Sequence, residues 1–276
     1  MPKAYVNGIN INYKVHGEGE PLILVMGFTG TRQLWFFQTR AFKKYYKVVT
    51  FDNRGVGKTD KPSEPYTVKT MADDTVSLMN YLEIDKAHIL GWSMGGVIAQ
   101  EIAINYPERV GKLILAATFP GLPSYAERVG EMAEIASEAL KAWGLREDFS
   151  EDDVTSLDAV AFLSRIIALA FNSRLYRMIS ILIAKPYARW VGSKNIMGHM
   201  KAHIGSSTLD RLHTIQAPTL VMTGTEDKTV PPRSSEVMAS RIPNARLVKV
   251  EGGSHGYVME MRGRFNKEVL DFLRGN

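Results

Sequence analysis

Residues Gly91-Trp92-Ser93-Met94-Gly95 set a serine between two glycines, after the apolar run Ala87 to Leu90 and ahead of the helix-forming stretch Met94 to Ile104. A serine on a tight strand-to-helix turn has its hydroxyl pushed out at the carboxyl end of the strand, and flanking glycines make that turn sterically possible. Ser93 is therefore a candidate nucleophile. A hydroxyl attacks poorly until a base takes its proton and a third group holds the base in the right tautomer. The chain has six histidines, at positions 16, 88, 199, 203, 213 and 255. His255 stands apart, because it follows Gly252-Gly253-Ser254 directly after the strand-like run Leu247 to Val250. His16 and His88 lie in or beside strands, where histidines are mostly structural.

The acid comes from Leu220-Val221-Met222-Thr223-Gly224-Thr225-Glu226-Asp227, a buried-type strand entering a loop that Val230-Pro231-Pro232 closes. Asp227 or Glu226 could orient His255; a carboxylate in a polar loop is otherwise solvated or caps a helix, which suits Glu226. Serine, then acid, then histidine is the chain order of an α/β-hydrolase triad.

On these residues the chain resembles the α/β-hydrolase superfamily, close to its esterase, lactonase and haloperoxidase-like group, over nearly the whole length. Asp52-Asn53-Arg54-Gly55-Val56-Gly57 is similar to that group's D-x-R-G-x-G turn after the fourth strand. Gly224 to Pro231 resembles its G-x-x-D-x-x-V-P acid loop, a match that selects Asp227 over Glu226, and Gly252 to His255 resembles its G-x-x-H loop. One position departs from the pattern. The family loop after the third strand often begins His-Gly, whereas Met26-Gly27 stands here, with methionine in place of a histidine that mainly braces the loop. The resemblance implies that the backbone N–H groups of Phe28 and Met94 form the oxyanion hole, a role indifferent to their side chains.

The elements that must position these groups follow from periodicity. Strands near Ala4 to Val6 and Ile11 to Val15 form an antiparallel hairpin around Asn7-Gly8. Apolar runs recur at Leu22 to Met26, Val48 to Phe51, Ala87 to Leu90, Leu113 to Ala116, Leu220 to Thr223 and Leu247 to Val250, with helical patterns at Val68 to Leu82, Met94 to Tyr106, Ser234 to Arg241 and Arg264 to Leu273. Alternation of this kind predicts an α/β fold, a mostly parallel eight-stranded sheet covered on both faces by helices. It breaks between about Phe119 and Ser206, a stretch that reads as helices without strands. Since the family carries a helical lid after its sixth strand, residues 119–206 are expected to form the lid and residues 1–118 with 207–276 the core.

Charge in this segment is uneven. From Gly121 to Asp158 there are ten acids against three bases, and from Ala159 to Leu209 seven bases (Arg165, Arg174, Arg177, Lys185, Arg189, Lys194 and Lys201) and no acid. Either the two halves face one another or present solvated faces, or the basic stretch meets an anionic portion of the substrate. The net charge of +5 is mild, and no basic helix carries base-stacking aromatics, so nucleic acid is not an expected partner. No run approaches the ~18 apolar residues that cross a bilayer; no membrane partner and a cytoplasmic location are expected. His199 and His203 could share a helix face, but Met200-Lys201-Ala202 between them lacks the glutamate of H-E-x-x-H, and no metal or other cofactor is expected. A chain without cysteine has no disulfide and no thiolate nucleophile.

The expected activity is that of a serine carboxylesterase acting on a small-molecule ester, with Ser93 as nucleophile, His255 as base and Asp227 orienting it. A thioesterase taking acyl groups from an anionic carrier such as CoA, a lactonase, a carbon–carbon bond hydrolase or a perhydrolase could share every one of these residues. A small-molecule receptor that retains the triad is the reading of a different class.

Overall fold

A computed structural model describes residues 2–275. The strands are β1 (Lys3–Val6), β2 (Ile9–His16), β3 (Pro21–Val25), β4 (Lys47–Phe51), β5 (Ala87–Trp92), β6 (Val110–Ala116), β7 (Gly121–Leu122), β8 (Ser206–Ser207), β9 (Thr219–Gly224) and β10 (Ala245–Val250). The helices are α1 (Phe36–Phe42), α2 (Val68–Tyr81), α3 (Met94–Asn105), α4 (Gly130–Trp143), α5 (Ala159–Leu169), α6 (Arg174–Val191), α7 (Ser193–His203), α8 (Pro232–Arg241), α9 (Tyr257–Glu260) and α10 (Arg262–Arg274).

Eight strands form one sheet in the order β1-β2-β4-β3-β5-β6-β9-β10. The hairpin β1–β2 is antiparallel and β2 joins β4 antiparallel, while every pairing from β4 to β10 is parallel. Asn7 and Gly8 both take positive φ at the hairpin turn, as the Asn-Gly pair predicts. Because alternate side chains of a strand point to opposite faces, each central strand feeds two cores. In β3, Ile23 and Val25 pack with Met71, Val97 and Ile98 of α2 and α3, whereas Leu22 and Leu24 pack with Phe42, Phe265 and Val269 of α1 and α10. Helices therefore cover both faces, as the unbroken apolar runs require.

Residues 119–206 fold mainly as α4, α5, α6 and α7 around Phe119, Leu140, Trp143, Phe162 and Met200. The reading of this segment as strandless is corrected at its two ends. There β7 pairs antiparallel with β8, Gly121 opposite Ser207, and pins the exit and return of the chain together. Two residues are too few to show a period in sequence. The two halves pack together through apolar side chains, Leu140 and Trp143 with Phe162 and Met200, and no ion pair joins them among the described residues. Glu131 and Glu134 of the acidic half pair with Arg241 and Arg233 of α8, Arg146 pairs with Asp148 and Asp153, and none of the seven later cations makes an ion pair among the described residues.

The turn after β4 is held by a buried ion pair. Arg54 donates from Nε and Nη2 to the two oxygens of Asp74 on α2, at 2.6 and 2.5 Å, and Asn7 Nδ2 donates to the same carboxylate at 2.8 Å. Burial raises the Asp74 pKa above the ordinary carboxylate value, and Arg54 opposes that shift. Removing one member of a buried pair leaves its partner charged and unsolvated. Asp74→Ala is therefore expected to lower the unfolding free energy by about 3–5 kcal/mol, read as a fall in the urea midpoint.

Candidate active site

Ser93 sits between β5 and α3 at φ 59° and ψ −130°, a backbone region that non-glycine residues rarely occupy. Hydrogen bonds on either side fix it there: Ser93 N–H donates to Ala116 O at 2.9 Å and Gly96 N–H to Ser93 O at 2.7 Å. The glycines of the motif answer to crowding. A Cβ on Gly91 would stand 2.2 Å from Gly95 O, and one on Gly95 would stand 2.2 Å from Val25 O. Only residues without side chains let α3 begin this close to β3 and β5.

The second group lies on two neighbouring loops. Asp227, buried after β9, accepts from Thr229 and Val230 N–H on one oxygen, both at 2.8 Å, and from His255 Nδ1 on the other at 2.8 Å. The carboxylate is thus aimed at the imidazole by its own loop backbone. His255 follows β10, and its loop is tied to the acid loop by Glu226 N–H donating to Gly253 O and Gly252 N–H to Thr225 Oγ1. Glu226 is exposed and accepts from Asn172 Nδ2 at 2.8 Å, away from His255. His16 and His88 lie in β2 and β5, and His88 Nδ1 accepts from Lys112 N–H.

The loop after β3 carries Met26, Gly27 and Phe28. A Cβ on Gly27 would come within 2.9 Å of Ser93 Cβ, so this loop runs directly beside the serine. With methionine at position 26 the loop takes its support from elsewhere. Asn53 Nδ2 donates to Met26 O, Tyr187 OH of α6 donates to Thr29 O, and His199 of α7 accepts from Thr29 N–H at 3.2 Å on Nδ1. His199 Nε2, then the protonated nitrogen, donates to Arg54 O at 2.8 Å. Both ring nitrogens of His199 are thus engaged in bracing this loop. Sequence reasoning missed this bracing role, because the partners lie 170 and 145 residues away.

Ser93, His255, Gly27 and Phe28 line one cavity of about 280 Å³, walled otherwise mainly by apolar side chains of α5 and α6, among them Leu163, Ile166, Ile179 and Ile183. A narrow recess opens on the other side of Ser93, lined by Met94, Phe28, Trp143, Phe162 and His203. The structure so brings Ser93, His255 and Phe28 to one cavity, with Met94 in the adjoining recess and Asp227 hydrogen-bonded to His255. None of the seven cations lines the cavity.

A family model described as the alpha/beta hydrolase fold matches residues 20–260. The chain belongs to the α/β-hydrolase family. As a hydrolase of that family it is 30% identical over 257 residues to a poly(3-hydroxyalkanoate) depolymerase of Ectopseudomonas oleovorans, covering 92% of this chain and 84% of that protein. It is 25% identical over 272 residues to RutD of Azorhizobium caulinodans, named for carbamate hydrolysis, covering 99% and 98% of the two chains. Among solved structures it resembles an N-acyl homoserine lactone degrading enzyme, with 27% identity, a TM-score of 0.79 and coverage of 98% and 100%.

The recess and the loop brace both depend on buried neutral imidazoles. Burial lowers the pKa of His199 to about 4, the hydrogen bond to Arg54 opposing, and that of His203 to about 3, with His199 adding to the effect. Between these values and the ordinary ~6.5 the unfolded chain binds more protons than the folded one, so stability is full at neutral pH and falls as pH drops through the window. His203 packs against Phe119 and Trp143 with Nδ1 unpartnered, which a phenyl ring can replace. His203→Phe should flatten the loss of urea midpoint between pH 6.5 and 4.5 relative to wild type, by up to about 1.4 kcal/mol per pH unit.

Proposed function

We propose that this hydrolase is a serine carboxylesterase for an uncharged, largely apolar ester, and that residues 119–206 act as its lid. The observation that carries the reading is the Asp227–His255 hydrogen bond of 2.8 Å beside a serine on a strained turn in the same cavity. In this reading His255 takes the Ser93 proton as Ser93 Oγ attacks the ester carbonyl carbon. Asp227 holds the imidazole with Nδ1 protonated and stabilises its cation, while the N–H groups of Phe28 and Met94 donate to the oxyanion. The tetrahedral adduct collapses to an acyl-serine as the alcohol leaves with the proton from His255. Water activated by His255 then releases the acid and restores Ser93.

An apolar cavity without a cation in its wall favours a neutral substrate over the thioester of an anionic carrier. The names of the relatives, a polyester depolymerase and a lactone-degrading enzyme, support carboxylic esters in the broad sense, lactones included. A panel of p-nitrophenyl esters, thioesters, lactones and carbamates, compared by kcat/KM, should rank uncharged esters or lactones first. Ser93→Ala should abolish their turnover with the fold intact, and Asp227→Asn should lower kcat by about four orders of magnitude. Turnover retained in Ser93→Ala would sink this mechanism, and carbamates ranked first would move the substrate class.

A further inference from the structure

Half of the large apolar side chains left exposed among the described residues stand on α6, including Leu175 (57%), Leu182 (68%) and Trp190 (56%). Positions 175, 179, 182, 186 and 190 fall at helical spacing, so Leu175, Ile179, Leu182, Pro186 and Trp190 make one continuous stripe. The opposite face is small and buried, with Ser180, Ala184 and Ala188 against the molecule. Flanking the stripe are exposed Arg174, Lys185 and Arg189, none of them paired, and no acid occurs from residue 159 to 209. Contiguous apolar surface of this kind marks a contact site in a soluble domain.

The charges decide what covers it. A second copy docked by two-fold symmetry with the two α6 helices antiparallel would set this cationic flank against its own image, with no acid from the same stretch to relieve it. A surface that is both apolar and anionic satisfies both halves of the helix at once, since a basic amphipathic helix lies in the lipid interface with its cations among anionic headgroups. No helix among the described residues is long and apolar enough to cross a membrane, which bears on spanning and not on surface contact. We propose that the outer face of α6 docks the protein on an anionic lipid surface. Ile179 and Ile183 stand on this helix and also line the Ser93 cavity, so docking sets the cavity beside the acyl chains.

The test is flotation of the full-length protein with vesicles of phosphatidylcholine alone and of phosphatidylcholine mixed with phosphatidylglycerol, which reads docking without any turnover. Binding to the mixed vesicles at low salt, at least about tenfold weaker to the neutral ones and weakened by high salt, is expected. The triple variant Arg174→Gln, Lys185→Gln, Arg189→Gln should lose about a hundredfold in affinity for the mixed vesicles, each cation being worth roughly fivefold. The triple variant Leu175→Ser, Leu182→Ser, Trp190→Ser should lose binding to both, with circular dichroism unchanged because these side chains are exposed. No binding of wild type to the mixed vesicles, or equal binding by the variants, overturns the proposal. So does a dimer in sedimentation equilibrium that the Leu175, Leu182, Trp190 variant dissolves, which would make a second copy the occupant.

Discussion

The backbone at Ser93 turns through a conformation that costs about 1–3 kcal/mol for a residue with a side chain, and the surrounding packing must hold it there. What holds it is close approach. Helix α3 starts hard against β3 and β5 because Gly91 and Gly95 have no Cβ to keep them apart, and Gly27 brings the next loop against Ser93 itself. Every other feature of the site is placed relative to this turn. The sheet order puts β3 on one side of β5 and β6 on the other, so the Phe28 loop and the Ala116 carbonyl reach Ser93 from opposite directions.

Two further loops, after β9 and β10, complete the arrangement from the far side of β6. Their pairing is parallel and in register, Val250 opposite Gly224, so their carboxyl ends stop together and set Asp227 beside His255. The same loops reach the helical segment. Gly256 N–H donates to Ala170 O at 2.6 Å, and the Glu260 carboxylate accepts from Ser254 Oγ and from Ser173 N–H. The residue next to His255 is therefore hydrogen-bonded to the end of α5, which couples the cavity wall to the loop that carries the imidazole.

Support for the Phe28 loop shows how a local departure from a family pattern is absorbed. Methionine at position 26 cannot brace through hydrogen bonds. His199 from α7 instead spans from Thr29 N–H to Arg54 O, and Tyr187 from α6 takes Thr29 O. Both side chains come from the helical segment, so that segment does more than wall the cavity: it shapes the loop expected to supply an oxyanion donor. The Arg54 turn receiving His199 is in turn fixed by Asp74.

Much of this was legible in the residues. Period-two and continuous apolar runs marked all eight strands of the main sheet to within a few residues, because the central strands are buried on both faces and the edge strand β1 on one. Glycine spacing around Ser93 and the loops before Asp227 and His255 carried the candidate site, because tight turns at strand ends admit few residue types. The short helices α1 and α9, the β7–β8 clasp and the role of His199 were not legible, since each depends on partners distant in the chain or on elements too short to show a period. Local sequence thus determined which groups can do chemistry and the elements that bear them. The acid-loop resemblance already selected Asp227 over Glu226; only the tertiary structure decided what braces the loop after β3, where His199 spans from Thr29 N–H to Arg54 O, because those contacts join residues 170 and 145 apart in the chain.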